Sequence, residues 1–72
     1  MKLGKYRHYK GKNYKVMGIV RHSETLEELV LYKSLYESKK FPKGTLWARP
    51  KKMFLENVKL GNKEVPRFKL IK

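Results

Sequence analysis

The 72-residue chain has a formal net charge of +13 at pH 7, because 19 Lys and Arg side chains are opposed by only six Asp and Glu. It is long enough for one small domain, residues 1–72, and its lack of cysteine excludes a disulfide framework and a cysteine-ligated zinc site. No apolar run is long enough to cross a membrane, and the basic first residues do not form a signal peptide, so we expect a cytoplasmic protein.

The first predicted element is a β-hairpin. Turn-forming residues at 10–13 lie between aromatic and β-branched segments, which predicts strands over about residues 5–9 and 13–22. Strict alternation along the second strand predicts two faces, one with Tyr14, Val16, Gly18 and Val20 and the other with Lys15, Met17, Ile19 and Arg21. Because the opposite face also carries apolar residues, we expect both faces to be partly covered, as in a small barrel.

The middle of the chain supports two interpretations. Thr25 followed by Glu28 is a start signal for a helix over about residues 25–37, which would give an α+β fold. The alternating run LVLYKSLY at residues 29–36 instead suits a strand that is covered on both faces. Local propensity favours the helix slightly, and both alternatives remain open on these residues alone.

The last third of the chain is predicted to contain a strand, a helical turn and a hairpin. Residues 46–49 form a short predicted strand that ends at Pro50. Proline suits the first position of a helix, so we predict one helical turn near residues 50–55. A closing hairpin over 58–71 bends at Gly61–Asn62.

The segment VRHSET at residues 20–25 is similar to the box of the histidine phosphatases, in which a strand delivers an arginine and a nucleophilic histidine. That fold needs several βαβ units of about 30 residues each, which this chain cannot supply. Ser23 also occupies the place of the glycine that lets the backbone approach phosphate. No serine has an identifiable histidine–acid partner, so we predict that the protein is not an enzyme.

The two histidines, His8 and His22, do not form a convincing metal site. A turn near residues 11–12 pairs His8 with Tyr14 or Lys15 rather than with His22, and no third ligand beyond glutamate is at hand. We therefore predict no metal and no cofactor. We expect each histidine to cap a loop or to hydrogen-bond one.

Four separated blocks resemble the bacterial domain of unknown function 1653, a family of short stand-alone proteins. The blocks are GKYRHYKGKNYKV at 4–16, RHSETLEELVLYKSLY at 21–36, LWARP at 46–50 and VPRF at 65–68. The resemblance implies an all-β fold, a small SH3-type barrel of about five strands with a helical turn near residues 50–55. It implies that 29–36 is a strand. It supplies no function, because the family has none firmly assigned, and the fold supplies none either, because small barrels support many unrelated functions.

Our first functional hypothesis is a nucleic-acid-binding module for RNA or another single strand, in which lysines contact phosphates and exposed aromatic rings stack on bases. The candidate residues interleave cations and rings on the first hairpin and add the remaining arginines. They are Tyr6, Arg7, His8, Tyr9, Lys10, Lys12, Arg21, His22, Arg49 and Arg67.

Two alternatives involve other ligands. A protein-interaction module would hold a partner peptide in a groove formed by Glu24, Glu27 and Glu28 beside exposed tyrosines. A small phosphorylated or nucleotide-like ligand would be held by a cationic set, namely Arg21, His22, Arg49 and Arg67.

Overall fold

Alternation of apolar and polar side chains produces seven short strands and one helical turn in the computed structural model, which describes residues 1–72. The elements are β1 (Gly4–His8), β2 (Asn13–Arg21), β3 (Glu28–Ser34), β4 (Leu46–Pro50), α1 (Lys51–Phe54), β5 (Asn57–Leu60), β6 (Lys63–Pro66) and β7 (Phe68–Leu70). Strands β4-β3-β2-β1-β7 form one antiparallel sheet in that order, and β5 and β6 form a separate hairpin.

The five-stranded sheet and the helical turn confirm the predicted small all-β barrel fold. The alternative of a helix over residues 25–37 is wrong, because residues 28–34 form β3, an interior strand of the sheet between β2 and β4. Neighbouring strands and the core cover this segment, and Val30 is fully buried there. Thr25, which was predicted to cap the start of this helix, instead stabilises a loop, because its Oγ1 accepts a hydrogen bond from the Glu27 N–H at 3.2 Å.

The first hairpin has a different register from the one that the sequence suggested. Lys5 pairs with Lys15 and Tyr6 with Tyr14, so the turn is centred near Lys10 rather than at residues 11–12. The expected pairing of His8 with Tyr14 or Lys15 is therefore wrong. A positive φ of 103° at Gly11 allows the chain to reverse early, because glycine adopts this conformation without steric cost.

A β-bulge at Met17 interrupts the alternation along β2. Val16 pairs with Tyr32, but Gly18 already pairs with Leu31, so one extra residue lies on the β2 side. After the bulge it is Ile19 that lies opposite the buried Val30. The prediction that Val16, Gly18 and Val20 share one face is thus wrong beyond Val16, and Gly18 and Val20 point away from the core.

The core lies on the inner face of the sheet and is mainly aromatic. Its six buried hydrophobic residues are Tyr6, Val16, Val30, Tyr32, Phe54 and Phe68, against which Tyr14 and Trp47 pack from the periphery. The rings of Phe54 and Phe68 stack with centroids 4.1 Å apart, and most other ring pairs meet edge to face. Four of the six core residues are aromatic, and each large ring contributes much buried apolar area, which is scarce in so short a chain.

Two connections complete the fold. The helical turn α1 starts at Lys51 rather than at Pro50, which occupies the N-cap position, and it places Phe54 in the core. The 37–45 connection is largely exposed, and it is attached to the sheet where Phe41 meets the Trp47 ring edge-on at 4.9 Å. The structure has no helix with the length and apolar character that spanning a bilayer requires.

Candidate nucleic-acid interface

One face of the five-stranded sheet, the side away from the core, carries a concentration of cations. Lys5 pairs with Lys15, and Lys15 pairs with Lys33, so three lysines lie side by side across β1, β2 and β3. Two residues farther along β1 than Lys5, on the same face, Arg7 pairs with Lys69 of β7. We call these five residues the basic face.

The basic face is electrostatically uncompensated. Adjacent strands are about 4.8 Å apart, and like charges placed directly opposite each other destabilise a sheet. The outward positions of these strands hold no Asp or Glu, and none of the five cations forms an ion pair. Only two of the 19 Lys and Arg side chains are paired in the whole chain, Lys51 with Glu28 and Arg67 with Glu56. An external polyanion would remove the repulsion.

A shallow depression extends the basic face toward the chain ends. Its volume is about 600 Å³, and it contains two lysines from outside the strands. Its lining residues are Gly4, Lys5, Asn13, Lys15, Leu35, Lys43 and Lys72. Lys72 is held there because its carbonyl oxygen accepts a hydrogen bond from the Lys5 N–H at 2.9 Å.

A second, more apolar concavity lies beside Arg7 and Lys69, where the β5–β6 hairpin approaches β1 and β7. We call it the hairpin cleft. It encloses about 360 Å³ and is lined by Arg7, His8, Tyr9, Leu60, Val65, Pro66, Lys69 and Ile71. Half of these residues are apolar, and Arg7 and Lys69 connect the cleft to the basic face.

His8 ends β1 and is fixed by its neighbours. Its Nδ1 accepts a hydrogen bond from the Lys10 N–H at 3.1 Å, so the neutral ring carries its proton on Nε2. The ring packs against Tyr9, with centroids 4.6 Å apart, and edge-on against Phe68. Burial lowers the pKa of His8, and the positive charges of Arg67, Arg49 and Lys10 lower the pKa further.

The pKa of His8 predicts how stability depends on pH. Because folding holds this pKa below the ordinary value of 6.5, the unfolded chain takes up a proton more readily than the folded chain. The free energy of unfolding should be fully retained above that value and should fall as the pH drops below it. Urea unfolding at about pH 7.5 and about pH 5.5 measures the difference, which His8→Gln should reduce. The same pH dependence in both proteins would contradict this role of His8.

His22 follows directly after β2 and is bound to the next loop, in agreement with the loop-capping prediction. Its Nδ1 accepts hydrogen bonds from the N–H groups of Glu24 at 3.1 Å and Thr25 at 3.3 Å. The neighbouring Arg21 donates to the carbonyl oxygen of Leu26 at 2.8 Å and so closes the same loop. Arg21 and His22 therefore hold the 22–27 loop, at the end of β2 remote from the basic face.

Arg49 and Arg67 contribute to the core and its edge. Arg49 lies with its guanidinium 5.8 Å from the Phe68 ring centroid and donates to the Tyr32 hydroxyl at 3.4 Å. Arg67 donates to Glu56 Oε1 at 3.2 Å. Arg21 and His22 are engaged in the 22–27 loop and Arg67 is paired with Glu56, so the four predicted cations do not form one free set for a small ligand.

The remaining predicted residues of the first hairpin lie partly in the core and partly at the surface. Tyr6 is only 6% exposed and belongs to the core, so its ring is not available for stacking. Tyr9 is half-buried at the hairpin cleft, with the Lys10 ammonium 5.9 Å from its ring centroid. Lys12 is exposed and lies 5.1 Å from the ring centroid of Tyr36. The predicted rings and cations that remain accessible therefore lie in the first turn and at the end of β1, beside the hairpin cleft.

Sequence reasoning missed several residues of this surface. The cations that it overlooked are Lys15, Lys33 and Lys69, and the apolar cleft residues are Leu60, Val65, Pro66 and Ile71. The lysines occupy outward positions that the alternation pattern could have assigned, but their alignment depends on the strand register. The apolar residues carry no local signal, because the hairpin meets β1 and β7 only through the tertiary fold.

These features define a class of protein: a small, strongly basic all-β domain whose cations are concentrated on the outer face of a sheet. The chain belongs to the family described as "Protein of unknown function (DUF1653)", whose model matches residues 4–70. It is similar to the crystal structure of a DUF1653 protein from Bordetella bronchiseptica, with 35% identity and a TM-score of 0.87 over 99% of this chain and 87% of that one. No curated protein matches the chain. The predicted family resemblance is thus confirmed, and the family description names no function.

Proposed function

We propose that this protein is a nucleic-acid-binding module that contacts the phosphate backbone through the basic face. The observation that carries the proposal is the cross-strand row of Lys5, Lys15 and Lys33, which no carboxylate neutralises. Such a row is unfavourable in the free protein and becomes favourable when it neutralises phosphates and releases their counterions.

The alternative of a peptide groove receives less support. The glutamates of the 22–28 segment lie at one end of β2, whereas Tyr14 and its hydrogen-bond partner Tyr36 lie at the other end. One of these glutamates, Glu28, is paired with Lys51 at 3.7 Å. The acidic groups and the accessible rings therefore do not form a common groove.

Salt dependence tests the proposal directly. We expect the protein to bind a fluorescently labelled oligonucleotide of about 12 nucleotides, with an affinity that falls steeply between about 50 and 200 mM salt. Five phosphate contacts predict a slope of about −3.5 in log K against log salt for a single strand, because each contact contributes about −0.7. Fluorescence anisotropy at several salt concentrations measures this slope.

A competitor of different chemistry provides the control for general attraction to polyanions. Poly-glutamate of matched charge should displace the oligonucleotide only weakly, because a carboxylate chain does not reproduce the geometry of phosphates. Absence of binding, binding that is unaffected by salt, or equal displacement by poly-glutamate would each contradict a nucleic-acid-binding function.

A further inference from the structure

The hairpin cleft contains a combination of groups that phosphate binding alone does not require. Leu60, Val65, Pro66 and Ile71 give it an apolar lining, and Leu60 is 48% exposed although it is a large aliphatic residue. Surfaces that only neutralise phosphates need cations and hydrogen-bond donors rather than apolar walls. This concavity therefore fits another part of the ligand.

The position of the cleft indicates which part this is. Arg7 and Lys69 belong to the basic face and also line the cleft, so a ligand whose phosphates lie on the basic face reaches the cleft within one nucleotide. Its volume of about 360 Å³ is at the lower end of the range of small-molecule sites, about 300–1,000 Å³, which suits one planar base rather than a base pair.

We propose that the hairpin cleft accepts one unpaired base, so that the ligand is a single-stranded nucleic acid whose adjoining phosphates lie between Arg7 and Lys69. This inference rests on the proposed function and specifies its substrate class. A duplex stacks its bases inside the helix, whereas a single strand can turn a base outward into an apolar site.

Two residues of the cleft are suited to contact such a base. Tyr9 offers a half-buried ring beside His8, and bases stack on aromatic rings of this kind. The Nδ1 atom of His8 is occupied by the Lys10 N–H, and its Nε2–H forms no hydrogen bond within the protein. This N–H group is therefore free to donate to a carbonyl oxygen or ring nitrogen of a base.

An abasic ligand separates this inference from the proposed function. The probes are a thymidine 12-mer (about the length of one binding site), the same sugar–phosphate chain without bases, and a duplex of equal length. We expect the abasic chain to bind about tenfold more weakly than the thymidine chain, with the same dependence on salt, because stacking on protein rings stabilises a bound base by a comparable amount. The duplex should also bind more weakly than the thymidine chain.

A pair of matched variants tests whether the contribution of the bases to affinity arises in the hairpin cleft. Leu60→Gln removes apolar surface from the cleft and should weaken binding of the thymidine chain several-fold while leaving the abasic chain unaffected. The control Leu55→Gln changes a leucine of similar exposure, 53% against 48% for Leu60, which follows α1 outside both the cleft and the basic face, and it should leave the affinity of both chains unchanged. Thermal unfolding of both variants establishes that they remain folded.

Each outcome decides between the two proposals. Equal affinity for the intact and abasic chains, or a preference for the duplex, would overturn the base-binding cleft and leave the phosphate-binding function in place. Equal effects of Leu60→Gln on the two chains would also overturn the cleft. Failure to bind any of the three probes would overturn both proposals.

Discussion

Replacing Lys5, Lys15 and Lys33 together with glutamine is expected to weaken oligonucleotide binding on the order of a hundredfold at about 0.1 M salt. Each of these lysines lies directly opposite the next one across neighbouring strands, so the variant removes the whole row of charge. The slope of log K against log salt should become less steep by about 2, because three contacts of about 0.7 each are lost. Anisotropy titrations at several salt concentrations measure both quantities.

The same variant should not lose stability, which separates its effect on binding from unfolding. Removal of three like charges from opposed positions relieves repulsion within the sheet, so the melting temperature should stay constant or rise. A control variant with Lys39, Lys40 and Lys52 changed to glutamine removes the same charge from the 37–45 connection and α1, which are not among the strands that carry the basic face. If both triple variants weakened binding equally, net charge rather than the basic face would be responsible.

Phe54→Ala is expected to produce the largest loss of stability of any single substitution in this chain. Phe54 is 1% exposed, stacks on Phe68 and meets Tyr6 and Tyr32 edge to face. Deleting a buried phenyl ring costs about 3–5 kcal/mol, which is most of the free energy of unfolding of a domain this small. Urea or thermal unfolding followed by circular dichroism should show a largely unfolded variant at room temperature.

The neighbouring Met53 provides the comparison for this substitution. Met53 lies in the same helical turn but is 46% exposed, so Met53→Ala keeps the backbone context and removes little buried surface. Its cost should stay within about 0.5 kcal/mol. A similar loss in both variants would indicate that α1 itself, rather than the stacked aromatic core, determines stability.

Much of the fold was accessible from the sequence, because turn residues and alternation act locally. The Gly61–Asn62 bend and the short helical turn appear where they were predicted. The choice between helix and strand for residues 28–34 could not be made locally, since the residues suit both and the neighbouring strands determine the result. The alternating pattern allowed the strand, and the family resemblance decided in its favour.

The candidate site was accessible only in part. Arg7, His8 and Tyr9 were predicted and do line a concavity of the folded chain. The Lys5–Lys15–Lys33 row depends on the register of the first hairpin, which is determined by the exact centre of its turn. The sequence analysis placed this centre at residues 11–12, whereas it lies near Lys10. The cleft also requires contact between the β5–β6 hairpin and β1–β7, which no periodicity within one segment encodes.

The extra residue in β2 affects side chains well beyond its own position. If Met17 took part in regular alternation instead of forming a bulge, Arg21 would project on the same side as Lys15; because of the bulge, it projects toward the side of Val30. A single bulge residue thus determines which of the later side chains of the strand face the core. A correct alignment of relatives at this position is therefore needed before any residue of 18–21 is assigned to the interior or exterior of their barrels.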